Sequence, residues 1–282
     1  MRHAPVRTGM ERTETAGAET APDRAESARV QTLHLSPTQR LDDLQIGGLR
    51  LIQDTKYFCY GIDAVLLSDF AKAGRKDRVI DLCTGSGVVA LLMSAKTEAA
   101  HLTGLELQAE QARMAEESVR FNGLEDRIDI IQGDVREAGT LFAPASFDVV
   151  TCNPPYKKAG SGLVNPEGAL AIARHEVTLT FADVAEAAAR LLRHGGHFYL
   201  VHRPQRLNEL MGMLTARNLE PKTLRFVHPY RDAEANLVLI ECIKGANSFL
   251  RVLPPLAVYR EKYVYTPEIR RIYGLPEEEE GL

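Results

Sequence analysis

Cysteine is scarce in this chain. Its 282 residues include four, Cys59, Cys83, Cys152 and Cys242, and no two stand closer than 24 positions. With no Cys-x-x-Cys pair there is no sign of a zinc site, any other metal centre or a disulfide framework, and reduced thiols in a cytoplasmic protein are expected. No run of about 18 consecutive apolar residues occurs, so no membrane-spanning helix is expected. Positive charge is not in excess either. The formal net charge is -4, and the run from Glu277 to Glu280 carries that much by itself. Bulk charge therefore does not announce a nucleic-acid partner, which would have to be met by a local basic patch. No internal repeat is visible. Hydrophobic residues make up 45% and charged residues 26%, which excludes a wholly disordered chain.

Residues 1–29 contain only three large apolar side chains, Met1, Val6 and Met10. Such a segment cannot bury enough surface to offset its ordering entropy, so residues 1–35 are expected to form a disordered tail. It resembles neither a signal peptide nor a mitochondrial presequence. From Arg78 onward, short apolar runs alternate with helical periodicity. Strands are expected at 78–82, 101–106, 127–131, 147–151 and 197–201, with helices between them. Asn122-Gly123 is a helix stop, Thr180 with Asp183 opens a helix as a capping box, and Gly195-Gly196 reads as a break. A helix is expected over about 204–217. Two further strands, 223–227 and 236–243, have no convincing helix between them and should pair as an antiparallel hairpin. The expected fold is α/β: a Rossmann-like sheet of seven strands, mainly parallel with a terminal antiparallel hairpin, and helices on both faces. The main domain should span 36–250 and include an N-terminal cap segment. Residues 251–282 should form an appendage packed on it, ending in a disordered acidic stretch. Tyr263, Tyr265 and Tyr273 are expected to be packing residues of that appendage.

Two turns at strand ends carry chemistry. The first is Asp81-Leu82-Cys83-Thr84-Gly85-Ser86-Gly87. Its glycines permit a sharp turn, and the helix that follows points free N–H groups at an anionic ligand group. The Gly85-x-Gly87-x-x-Ala90 spacing alone also suits a dinucleotide. Asp81 shifts the balance, because a carboxylate there repels a pyrophosphate but accepts from an ammonium group. S-adenosylmethionine offers that ammonium together with a carboxylate and a positive sulfonium. Glu106, at the end of the second strand, can accept from both hydroxyls of a ribose. Asp134, at the end of the third, can accept from an adenine amino group while Val135 packs near the ring, and it can also cap the next turn.

The second turn is Asn153-Pro154-Pro155-Tyr156, after the fourth strand. A conjugated exocyclic amine is a poor nucleophile because its lone pair is delocalised. The Asn153 side-chain oxygen and the Pro154 carbonyl can each accept one of its N–H bonds and draw the nitrogen toward tetrahedral geometry. The prolines restrict the backbone that presents these acceptors. Tyr156 offers a flat face, worth about 1–3 kcal/mol if the substrate is a base.

These two turns, in this order, resemble those of Rossmann-type S-adenosylmethionine-dependent methyltransferases that modify exocyclic or amide nitrogens. Tyr60-Gly61-Ile62-Asp63-Ala64-Val65-Leu66-Leu67, Ala173-Arg174-His175-Glu176, Pro254-Pro255-Leu256 and Tyr265-Thr266-Pro267-Glu268-Ile269 extend the likeness. With them the chain, over roughly residues 36–276, is similar to the bacterial tRNA(Val) adenine N6-methyltransferase family. The resemblance implies methyl transfer to N6 of the adenosine beside the anticodon of a tRNA, by a monomer or homodimer. It implies that Asp81, Thr84, Gly85, Gly87, Glu106 and Leu107 hold the cofactor along with Asp134, Val135 and Asn153. Tyr60 and Asp63 would close over it from the N-terminal side. Asn153, Pro154, Pro155 and Tyr156 would hold the target base. Candidate RNA phosphate contacts are Lys157, Lys158, Arg174, Arg203 and Arg206.

Other readings compete. A protein glutamine methyltransferase shares the tetrapeptide, but such enzymes carry a helical N-terminal recognition domain where this chain has mostly tail. An rRNA or DNA amino-methyltransferase would share the chemistry. An NAD-binding oxidoreductase would share the glycine loop, but Asp81 and the Asn-Pro-Pro-Tyr turn argue against it.

Overall fold

The run Arg78-Val-Ile-Asp-Leu82 buries its last four residues in succession. A strand apolar on both sides must lie inside a sheet that is covered on both faces. The computed structural model describes residues 33–155 and 179–276, and in it this run is the central strand β3. The expected tail up to residue 32 and the acidic end, 277–282, lie outside the described residues.

A hairpin of β1 (Gln39–Asp43) and β2 (Arg50–Asp54) forms a separate two-stranded sheet, followed by α1 (Ile62–Phe70). Then come β3 (Arg78–Leu82), α2 (Val88–Lys96), β4 (His101–Glu106), α3 (Ala109–Phe121), β5 (Ile128–Gln132), α4 (Ala138–Leu141) and β6 (Phe147–Cys152). After residue 179 follow α5 (Phe181–Leu191), β7 (Leu192–His202), α6 (Leu207–Thr215), β8 (Leu219–Tyr230) and β9 (Leu237–Lys244). The chain finishes with β10 (Arg251–Val252), β11 (Leu256–Glu261), β12 (Val264–Tyr265) and α7 (Pro267–Ile272). The large sheet has the order β12-β11-β8-β9-β7-β6-β3-β4-β5, with β10 also beside β8. Strands β5, β4, β3, β6 and β7 are mutually parallel, and β9 runs antiparallel between β7 and β8. This is the expected α/β sheet with its antiparallel hairpin.

Alternation along β3 divides the core. Val79 packs with α1, α2 and α7, whereas Ile80 and Leu82 pack with α4, α5 and α6. The hairpin is tied to the end of α3: the Ser118 hydroxyl accepts from Ile52 N–H at 2.9 Å, and Asn122 both accepts from and donates to the backbone of Arg50. At the other terminus α7 packs on α1. Ile46, Tyr60 and Tyr273 pack against the cluster that holds Ile269 and Ile272, so both ends of the described chain meet on one core. No helix among the described residues is long and apolar enough to cross a membrane.

The capping box forms as expected, with Thr180 and Asp183 each accepting from the other's backbone N–H. Two expectations are corrected. Gly195-Gly196 is not a break, because α5 stops at Leu191 and β7 begins at Leu192. Phe147 pairs with Leu192 but Val149 pairs with His197. The surplus residues of β7 loop out as a bulge, with Gly195 at φ 74°, and the strand survives. The 204–217 helix starts as a 310 turn at Pro204–Arg206 and becomes α-helical only at Leu207. The last segment also adds β10, β11 and β12, which the sequence reading did not assign.

Ile80 is fully buried between β4 and β6. Replacing it with Ala should cost about 2–5 kcal/mol. Urea unfolding should show a lower midpoint with an unchanged slope. A wild-type midpoint would mean that β3 is not the packed centre of the sheet.

Candidate functional site

Strand order reverses at β3, with β4 and β5 to one side and β6 and β7 to the other. Such a switch point leaves a crevice beyond the carboxyl ends of the strands. Leu82 pairs with Cys152, so the next residues, Cys83 and Asn153, begin the two turns side by side. The sequence separates these turns by about seventy residues, and the register brings them together.

The first turn is laced onto β4. Thr84 N–H donates to the Leu105 carbonyl at 3.1 Å, and Gly85 N–H donates to Glu106 Oε2 at 2.8 Å. Gly85 and Gly87 hold φ of 58° and 85°, the left-handed region that glycine enters without penalty. Among the described residues, and apart from its two chain neighbours, no atom lies within 4 Å of the place a Gly85 Cβ would occupy, while one on Gly87 would sit 3.1 Å from the Ala115 Cβ. Gly87 is therefore pressed against α3, and Gly85 borders open space. Cys83 also adopts a positive φ, 59°, at a strain cost on the order of 1 kcal/mol. Gly87 caps α2, whose first turn carries no acid, so its free N–H groups favour an anion.

Two carboxylates face this turn. Asp81 is buried, pairs with Thr151 across the sheet, and accepts from the Thr151 hydroxyl at 2.6 Å. Burial pushes its carboxyl up to about 7; the Thr151 and Thr84 hydroxyls oppose the rise and the charge of Glu106 adds to it. The Thr84 hydroxyl is buried near enough to act on Asp81, yet it makes no hydrogen bond of standard geometry. Among the described residues no basic side chain forms an ion pair with Asp81. Glu106 is also buried and accepts from Gln108 N–H at 2.9 Å as well as from Gly85. Leu107 beside it is half-buried. Asp134 caps a 310 turn, accepting from Arg136 N–H at 2.9 Å, and its carboxylate also pairs with the Arg136 guanidinium. That pairing holds Asp134 below the usual carboxylate range. Val135 is buried beneath it. The donor set suits a ligand bearing an ammonium group, hydroxyls and one anionic group. It does not suit a pyrophosphate set against Asp81. Among the described residues no cluster of three His, Cys, Asp or Glu is arranged to hold a metal.

In the second turn Asn153 is half-buried, Pro154 buried and Pro155 exposed. A cleft of about 440 Å³ opens beside the prolines, walled by Thr180 and Phe181 of α5, His202 at the end of β7, and Arg206, Glu209 and Met213. Burial pushes the His202 imidazole down to about 4, so it is neutral near pH 7. Arg206 is held by Glu209 at 2.9 and 2.7 Å, and Arg203 donates to the Asn236 carbonyl at 3.1 Å. Both cations thus have protein partners. Asp63 sits in the first turn of α1 and accepts from Ala64 N–H. Tyr60, just before it, has its hydroxyl pushed up to about 12 by burial. Tyr57, three residues earlier, feels the charges of Glu110 and Arg113, which puts this segment near the start of α3. Tyr156, Lys157, Lys158 and Arg174 lie outside the described residues.

Sequence reasoning missed three neighbours. Thr151 fixes Asp81 and is visible only through register. A Cβ on Gly104 would meet Thr84 at 2.8 Å, and a lone glycine inside a strand was the available signal of close approach. His202 borders the cleft because β7 runs on past its expected end.

The model of the methyltransferase small domain family matches residues 56–216. The chain is 31% identical over 188 residues to a tRNA1(Val) (adenine(37)-N6)-methyltransferase of Aeromonas salmonicida, covering 66% of this chain and 77% of that one. It is 33% identical over 144 residues to a protein of the same name from Bacteroides thetaiotaomicron, covering 50% and 58%. A crystal structure of a predicted O-methyltransferase from Agrobacterium tumefaciens superposes with a TM-score of 0.62 at 23% identity, over 78% of this chain and 100% of that one. That likeness establishes the Rossmann-like methyltransferase fold.

The Asp81 carboxyl titrates near 3.8 in an unfolded chain and near 7 in the fold. Between these values the native state keeps a proton that the unfolded state has released. Its contribution is therefore full below the lower value and is lost as pH rises through the upper one. Urea unfolding of the ligand-free protein should show its stability falling relative to that of Asp81→Asn across that interval, and a difference that does not change with pH would remove the assignment.

Proposed function

The chain belongs to the methyltransferase small domain family, and within it to the tRNA1(Val) (adenine(37)-N6)-methyltransferases; from that premise we propose that it methylates N6 of the adenosine beside the anticodon of a tRNA. The observation that carries the reading is the β3–β6 register, which sets an acidic glycine turn against an Asn-Pro-Pro turn. S-adenosylmethionine, when bound, supplies a methyl group made electrophilic by its sulfonium.

The residues of the chain do the rest by binding and orientation. Asp81 accepts from the ammonium of the cofactor, and the N–H groups opening α2 take its carboxylate. The buried Thr84 hydroxyl, without a well-formed protein bond, is left for the same end of the ligand. Glu106 accepts from the ribose hydroxyls, and Leu107 and Val135 border the adenine whose amino group Asp134 accepts. Gly85 leaves the space that the ligand enters. Tyr60 and Asp63 close the site from the N-terminal side.

On the substrate side, the Asn153 side-chain oxygen and the Pro154 carbonyl accept the two hydrogens of the adenine amino group. Pro155 stiffens the turn, and Tyr156 supplies the face on which the base stacks. Alignment of this kind is worth about 7–11 kcal/mol of barrier. An unpaired loop base costs little to extrude, which favours an anticodon-loop substrate over a paired one. Lys157, Lys158 and Arg174 are retained as phosphate contacts. Arg203 and Arg206 already serve the Asn236 carbonyl and Glu209, so a phosphate would share their remaining N–H donors. The same reading keeps 1–35 as a tail, 36–250 as the catalytic domain and 251–282 as its appendage, in a cytoplasmic monomer or homodimer.

Incubation with methyl-labelled donor and, separately, tRNA, other RNA, protein and DNA should give labelled N6-methyladenosine from tRNA alone. Label in glutamine, or in none of the four, overturns the assignment. Asn153→Ala should lower the rate at least about 100-fold while calorimetric affinity for S-adenosylmethionine stays within a few fold. An active variant would remove Asn153 from the chemistry.

A further inference from the structure

Four tyrosine rings form a column along the C-terminal strands. Tyr273 stacks on Tyr265 with ring centroids 5.4 Å apart and planes 14° apart, and Tyr265 stacks on Tyr259 at 5.2 Å and 13°. Tyr259 meets Tyr230, the last residue of β8, at 5.6 Å and 38°. The three inner rings pack against the core. The column ends at Tyr230, which is 39% exposed. Beside it the turn between β11 and β12 carries Tyr263, which is 81% exposed with a φ of 65° and has the Lys262 ammonium 5.3 Å from its ring. Tyr263 is thus not the packing residue expected from the sequence; Tyr265 and Tyr273 are. A bulky side chain in the left-handed region is a true outlier, and keeping it there in solvent costs free energy with no packing return.

Strand direction places these rings on the working edge of the sheet. Strand β9 is antiparallel to both β7 and β8, and β11 is parallel to β8. Tyr230 and the Tyr263 turn therefore emerge from the same edge as Asn153. His202 and Phe226 share the level of Val238, so Tyr230 stands four residues beyond the end of β7. With the usual strand spacing and rise, the column ends about 20 Å from Asn153. A few nucleotides of unpaired loop cross that span.

We propose that Tyr230 and Tyr263 form a stacking platform for unpaired RNA bases that flank the target adenosine; the proposal rests on the functional reading above. A nucleobase laid on Tyr230 extends a row of rings whose three inner members are held by packing, and Tyr230 meets that row at a tilt of 38°. The nearby exposed charges balance, Arg231, Arg260 and Lys262 against Asp232, Glu234 and Glu261. Affinity at this platform therefore comes from ring contact and not from released counterions.

The test uses the full chain and a fluorescein-labelled RNA hairpin with adenosine in its loop. Tyr230→Ala and Tyr263→Gly should each raise Kd and KM about 10-fold, with kcat and the salt slope unchanged. Tyr230→Phe should bind as wild type. Tyr263→Gly should melt no lower than wild type, because it relieves the left-handed strain, so a loss of RNA affinity there cannot be a loss of fold. Variants that bind and turn over RNA as wild type does would falsify the platform while leaving the functional reading intact. A wild-type protein that binds the hairpin through these rings but methylates no RNA supports the platform and defeats the functional reading.

Discussion

The hydrogen bond from the Thr151 hydroxyl to Asp81 joins β3 to β6 in the dry centre of the sheet. It supports the register in which Leu82 lies beside Cys152, and the meeting of the two turns follows from that alignment. Shifting β6 by one residue would send each of its side chains to the opposite face of the sheet and move Asn153 away from the glycine turn. The same bond partly offsets the cost of burying a carboxylate. The remaining cost is stored as a raised pKa, which a cationic ligand group can relieve. The feature that weakens the empty fold near neutral pH is thus the one that strengthens binding.

Much of this was legible in the residues because it depends on local chemistry. The glycine turn, the Asn-Pro-Pro turn, the Thr180–Asp183 box and the Asn122-Gly123 stop are short patterns whose backbone demands are nearly independent of context. The β8–β9 hairpin was legible because nothing helical separates its strands. The β7 bulge was not, since a Gly-Gly pair signals a break and a bulge equally, and only pairing with Phe147 and Val149 decides between them. Strands β10, β11 and β12 were missed because two of them are two residues long and depend on neighbours for their hydrogen bonds. Thr151 serves Asp81 across strands, a relation that has no expression along the chain, and Gly104 shows in sequence only as a lone glycine in a strand, without its partner Thr84.

The cationic residues show where charge alone misleads. Arg203 and Arg206 follow β7 at the right edge of the sheet, and from sequence they read as phosphate contacts. In the fold one donates to a backbone carbonyl and the other is forked onto Glu209 beside the cleft. An arginine held in that way is a rigid wall with a fixed donor pattern, and it would select among ligands by shape more than by attraction. Cys83 is a comparable case of geometry over composition. It occupies a left-handed position that glycine would fill without strain, and the hydrogen bonds from Thr84 and Gly85 to β4 keep it there.

The meeting of Ile46 and Tyr60 with Ile272 and Tyr273 on one core has a temporal side. These partners are separated by more than two hundred positions in the sequence. At bacterial and eukaryotic translation speeds the later pair leaves the ribosome roughly 10–50 s after the earlier one. The first segment to be synthesised must wait for the last before its packing is complete. A nascent chain cut short near residue 250 would have the inner strands of its central sheet but would leave bare the apolar surface that α7 covers in the finished protein.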